Sequence, residues 1–214
     1  SKMIIDNSYL LTKEVFIPDA VVQPSIGSNT PNSVTQLDQE IDDKENELLL
    51  SFLGYAQTNE LLGQFESNGV WKATAEQKWK DLVDGKEEWK GLRYTIGTKK
   101  ISLIAFYVFF YYLKSDFSTY STNGVQVAQS ENAVSQLPNE KQVTAWNKFV
   151  RMYQGGNFTK QNYHFGNNWN GQYLSFSNTN NNNEISLYDF MTRNSGIYDI
   201  SFFTRQGLIN SVNL

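Results

Sequence analysis

Few side chains in this sequence could carry chemistry, and their spacing excludes most reactions. His164 is the only histidine, and it sits in "NYHFG", an aperiodic stretch that reads as a loop. With no second histidine, neither a multi-histidine metal site nor a His-Glu-x-x-His helix can be assembled, and a histidine-based triad finds no support. Cysteine is absent, so thiolate nucleophiles and disulfides are out. Neighbouring acids occur at Asp42–Asp43 and Glu87–Glu88, but adjacent helix positions point in different directions and do not share a substrate. There is no G-x-G-x-x-G and no Walker loop to cradle a phosphate. The sequence therefore predicts no catalytic residue, no metal and no cofactor.

Two constellations could bind rather than react. Asp38, Glu40, Asp42, Asp43, Glu45 and Glu47 crowd one short stretch, yet the central glycine of a calcium-binding loop is missing. They read as the solvated face of a helix. Tyr163, Trp169 and Tyr173 lie among asparagines and glycines in "NYHFGNNWNGQY". Flat aromatic faces beside amide donors and acceptors are the surface chemistry of sugar binding, and the competing reading is that these rings anchor a loop-rich appendage.

The elements that must position such groups are mostly helical. Leu37, Ile41, Leu48 and Phe52 are spaced four, seven and four, which predicts a helix with one apolar stripe, closed by Gly54 and followed by a short second helix over 57–65. Thr74 with Gln77 forms a capping-box pattern ahead of a helix burying Trp79, Leu82 and Val83 and ending at Gly85. Trp89, Leu92, Tyr94 and Ile96 alternate with polar neighbours, as in a short strand. The run from Ile101 to Leu113 is apolar nearly all round and predicts a central helix covered on most faces, with part of it at a wet boundary or subunit interface. At about 20 Å it is too short for the roughly 30 Å of a bilayer core. Pro138 opens a further helix whose face is Val143, Trp146, Val150 and Tyr153, ended by Gly155–Gly156. "SLYDFM" suggests one or two last helical turns.

Length and charge bound the rest. A chain of 214 residues fits one domain, or a domain with an appendage, and can bury a real core. The formal net charge of -4 comes without a basic stripe, which argues against direct nucleic-acid binding. The N-terminus lacks the pattern of a secretory signal, and a cytoplasmic setting suits a cysteine-free chain. The expected organisation is an extended N-terminal arm over 1–33, a helical body over 34–154, and an aromatic- and asparagine-rich extension with a C-terminal docking tail over 155–214. The fold class is mainly α: a small helical bundle around a central aromatic-rich helix, with an irregular, short-strand C-terminal extension.

Motif order adds a resemblance. "KWKDLVDGKEEWKGLR", then "SLIAFYVFFYYL", "NGVQVAQSENA", "VTAWNKFVRMY", "SLYDFM" and an apolar "LINSVNL" resemble the head–tail connector, or adaptor, proteins of tailed bacteriophages and prophages of the Bacteroidetes type. The resemblance covers residues 35–154 and, more loosely, the last thirty. It implies a structural protein of the virion neck, assembled in the host cytoplasm as a homo-oligomeric ring beneath the portal. Its partners would be the portal and neighbouring neck and tail proteins, with no membrane and no cofactor. The apolar tail, through Tyr188, Phe190, Phe202, Phe203 and Ile209, is suited to wrapping a neighbour or the portal, the portal being what the resemblance implies; the competing reading is that it packs back on its own body.

Overall fold

The computed structural model describes residues 2–17, 33–116, 120–121, 124–125, 138–155, 176–177 and 183–207. Helix α1 (Ser33–Gly63) carries the predicted stripe, with Leu37, Ile41, Leu48 and Phe52 all buried. Gly54 interrupts it at φ 69°, ψ 176°, so the expected stop is a kink between two helical pieces. A hairpin, β1 (Phe65–Ser67) with β2 (Val70–Trp71), leads to α2 (Gln77–Asp84), whose buried side is Trp79, Leu82 and Val83. The Thr74–Gln77 box is not formed: the N-cap is Glu76, without a side-chain bond, because the helix starts two residues later than the pattern needs.

The strand around Leu92 belongs to a second hairpin, β3 (Arg93–Ile96) with β4 (Lys99–Ser102). This shortens the central helix, α3 (Leu103–Asp116): Ile101 and Ser102 are strand, not helix. Ser102 makes the junction. Its hydroxyl donates to the Leu92 carbonyl at 2.8 Å and accepts from the Ile104 amide at 3.0 Å, capping α3. Leu103 through Phe110 are buried, and Tyr111, Tyr112 and Leu113 are half-buried. α3 packs on α1 and on α4 (Pro138–Gln154), which starts with the proline and ends at Gly155 with φ 77°. At the α3–α4 contact, Phe110 lies 4.5 Å and Tyr107 6.2 Å, centroid to centroid, from Trp146. The short pairs β5 (Tyr120–Ser121) with β6 (Gly124–Val125), and β7 (Phe176–Ser177) with β8 (Asn183–Glu184), precede α5 (Leu187–Arg193). The helix-rich body thus carries antiparallel hairpins and is not a plain bundle.

Both ends join the core. Residues 2–17 hold a 3-10 turn (Asn7–Leu10) within a stretch expected to be extended, and Ile4, Ile5, Leu10 and Ile17 are fully buried. The same apolar cluster runs through Phe52, Leu92, Val108 and Phe149 to Leu187, Phe190 and Tyr198. The predicted arm, body and tail therefore share one core. Among the described residues no helix is long and apolar enough to cross a membrane.

Candidate functional site

The C-terminal segment is built outward from α5. Ser186 caps this helix by accepting the Asp189 amide, and Phe190 stacks on Trp89 with centroids 5.7 Å apart. Tyr198, 2% exposed, donates its hydroxyl to the Lys78 carbonyl at 2.5 Å. Burial raises that hydroxyl's pKa well above its ordinary value, so it stays a neutral donor.

Beyond Tyr198 the chain forms a strap across α1 and α4. Phe203 stacks on Tyr153 at 4.5 Å and meets Phe52 at 6.4 Å. From there the hydrogen bonds fall on the strap's own backbone. Tyr153 donates to the Thr204 carbonyl at 2.9 Å, and Trp146 to the Gly207 carbonyl at 2.6 Å. The Gln154 amide group both donates to the Gln206 carbonyl at 2.8 Å and accepts from the Gln206 amide at 2.7 Å. The Thr204 amide donates to the Ser51 carbonyl at 3.0 Å. Thr204, Arg205 and Gly207 point their own surfaces to solvent. This face of α4 holds peptide backbone with little regard to side-chain identity.

Phe202 faces outward. Its ring covers Gly54, where an added Cβ would come within 2.7 Å, so only glycine permits this approach. Phe202 is 53% exposed, Tyr55 beside the kink is 76% exposed, and Leu50 one turn earlier is 37% exposed. Phe202 thus packs at the kink between the exposed Leu50 and Tyr55 in sequence. Next to it lies a cleft of about 420 Å³ lined by Gln57, Glu60, Lys78 and residues 195–199. Lys78 pairs with Glu60 at 2.5 Å and holds that carboxyl below its ordinary range, which makes an ion pair and not a proton-transfer couple.

The tail residues singled out in the sequence thus divide. Phe190 is buried in the subunit's own core, Tyr188 and Phe203 are half-buried against each other with centroids 5.0 Å apart, and Phe202 is open. For residues 185–207 the expectation of a tail withheld from its own body is corrected: Trp89, Trp79 and Tyr153 offer aromatic faces that these side chains fill. Ile209, His164, Tyr163, Trp169 and Tyr173 lie outside the described residues.

A second correction concerns the acidic row. Glu45 is 2% exposed and accepts the amides of Ile4 at 2.6 Å and Ile5 at 3.1 Å. Burial pushes its pKa up to about 8, against the opposing pull of those two amides. The signal was present in the spacing: Glu45 stands four residues after Ile41 and three before Leu48, on the apolar stripe itself. Glu47 is also engaged, accepting from Lys44 at 2.7 Å and from the Tyr107 hydroxyl at 2.9 Å. Among the described residues, no group of three or more His, Cys, Asp or Glu could hold a metal ion. Comparison of the chain with protein-family models, with curated proteins and with solved structures returned no match.

Proposed function

We propose that the chain is a structural subunit of a phage head–tail connector, forming a homo-oligomeric ring beneath the portal in the virion neck and working without a catalytic group, metal or cofactor. The motif order quoted above motivates the assignment. The observation that supports it is that Leu50 and Tyr55 on α1 and Phe202 on the strap are large apolar side chains left exposed on the subunit, as expected where another protein docks. A closed ring joins two different patches of each subunit. Leu11 and Phe16, 41% and 48% exposed, are further large apolar side chains left open on the N-terminal segment.

Coexpression with a phage portal protein is the test. The chain is expected to copurify with the portal as a ring and to run as a monomer or small species when dilute. The double variant Tyr55→Asp, Phe202→Asp should lose the ring while keeping its far-ultraviolet circular dichroism. A stable two-fold dimer indifferent to the portal would sink the reading.

A further inference from the structure

Residues 2–5 are bound to the rest of the chain in the way a groove binds an extended peptide. The Met3 amide donates to Asn68 Oδ1 at 3.1 Å, and the Met3 carbonyl accepts from the Gly69 amide at 2.8 Å. The Ile4 and Ile5 amides donate to the two oxygens of Glu45, and the Ile4 carbonyl accepts from Arg93 Nη1 at 2.6 Å. Lys2 Nζ donates to the Phe65 carbonyl at 2.6 Å. Every one of these partners lies at least forty residues away in sequence. The side chains of Ile4 and Ile5 are fully buried between them. Such a groove does not tolerate being empty, because Glu45 would lose both donors and an apolar trough would open to water.

The segment's covalent tie to its groove is long. Residues 18–32, which include Pro24, Gly27 and Pro31, connect Ile17 to Ser33. A connection of that length reaches at most about 50 Å, well beyond the radius of gyration of about 17 Å expected for a chain this size. The groove of an adjoining copy is therefore within reach, and the chemistry that recognises the segment is identical there. Tethering gives the chain's own segment an effective concentration on the order of millimolar. Exchange is thus negligible in dilute protein and competitive where copies are packed side by side.

We propose that residues 2–17 are an exchangeable segment, and that the groove formed by Glu45, Asn68, Gly69 and Arg93 also takes this segment from a second copy of the chain. Exchange would link neighbouring copies without new interface chemistry. It does not depend on a portal and is testable on the purified chain.

Lys2 and Glu66 line one cleft, so a zero-length carbodiimide cross-link between them reports which chain fills which groove. Full-length chains, half isotopically heavy and half light, are unfolded and refolded together at increasing concentration, then cross-linked, digested and read by mass spectrometry. Mixed-isotope Lys2–Glu66 pairs should rise from none in dilute protein to the statistical share of free exchange. The Lys78–Glu60 pair, 2.5 Å apart within the body, should stay same-isotope throughout. Same-isotope Lys2–Glu66 pairs at every concentration would overturn the proposal, and so would equal mixing at Lys78–Glu60, which would mean general aggregation. Because the chain has no cysteine, the variant Lys2→Cys, Glu66→Cys gives an independent reading: covalent multimers on a non-reducing gel support exchange, and disulfide-closed monomer alone refutes it.

Discussion

The two ends of the chain are held by opposite means. Residues 2–17 enter the core with their side chains, Ile4, Ile5, Leu10 and Ile17 being fully buried, and place two backbone amides on a buried carboxylate. The strap over 203–207 stacks Phe203 on Tyr153 and is otherwise held largely by its backbone, with Thr204 and Arg205 exposed. Burial of apolar side chains carries most of the stabilisation, whereas a half-exposed hydrogen bond contributes about 1 kcal/mol or less. The N-terminal segment is thus part of what folds, and the strap is something the folded body holds. An end of the first kind can leave its groove only if an equal segment replaces it; an end of the second kind can lift on its own.

The sharpest break of this contrast is at the N-terminus. Ile4→Ala, at a site with no exposure, should cost about 2–5 kcal/mol, read as a lower denaturant midpoint with unchanged slope. A loss no larger than that of a surface substitution would mean that the segment is not core.

Glu45 gives the next effect. Glu45→Gln keeps the shape but turns an amide group toward one of two backbone donors, leaving an amide of Ile4 or Ile5 without its acceptor, and should cost about 1–3 kcal/mol. The same variant isolates a pH dependence. In the unfolded chain Glu45 loses its proton near the ordinary value of 4.5, whereas in the folded chain it holds the proton to about 8. Between those values the unfolded state binds fewer protons, so stability falls as pH rises and levels off above the upper value. The slope is at most about 1.4 kcal/mol per pH unit. Thermal midpoints of the wild type should drop across this window, and the difference should vanish in Glu45→Gln. A wild-type profile parallel to that of the variant would show that the carboxyl is not buried as described.

Glu45 also shows where sequence reading stops. The stripe of α1, the break at Gly54 and the buried face of α2 were legible because helical periodicity depends on residues a few positions apart. Glu45 was assigned to the solvated face because charge outweighed register, although its position matches the stripe. The two donors that justify it come from Ile4 and Ile5, and no local pattern announces a contact across forty positions. The start of α3 was misplaced for a related reason. Ile101 and Ser102 continue the apolar run, but pairing with Arg93 and Tyr94 across the turn at Gly97 holds them as strand. The tail was misread because apolar residues without a period look available, when Trp79, Trp89 and Tyr153 had already shaped faces for them.

The strap should respond more weakly. Gln154→Ala removes both bonds to Gln206 from a side chain that is itself buried and should cost about 1–2 kcal/mol. Its clearer signature is local: the Gln206 amide should lose hydrogen-exchange protection while amides in α3 keep theirs. Joint loss in both places would place the strap in the same cooperative unit as the core and erase the contrast between the ends.

The smallest effect on stability, and the most informative for function, is expected at Phe202. Its ring is about half exposed and covers a glycine, so truncation removes little buried area and leaves no closed cavity. Phe202→Ala should therefore change stability by under about 1 kcal/mol, a fraction of the value for a fully buried phenylalanine. Association is a different matter, since an exposed aromatic residue that becomes fully desolvated at an interface commonly contributes more than about 1–2 kcal/mol when truncated. If Leu50, Tyr55 and Phe202 join the subunit to a neighbour or to the portal, Phe202→Ala should weaken ring formation at least about tenfold with no matching loss in thermal midpoint. A stability loss as large as that of Ile4→Ala would make the strap core after all. Unchanged stability together with unchanged association would remove Phe202 from the assembly and leave Leu11 and Phe16 to account for it.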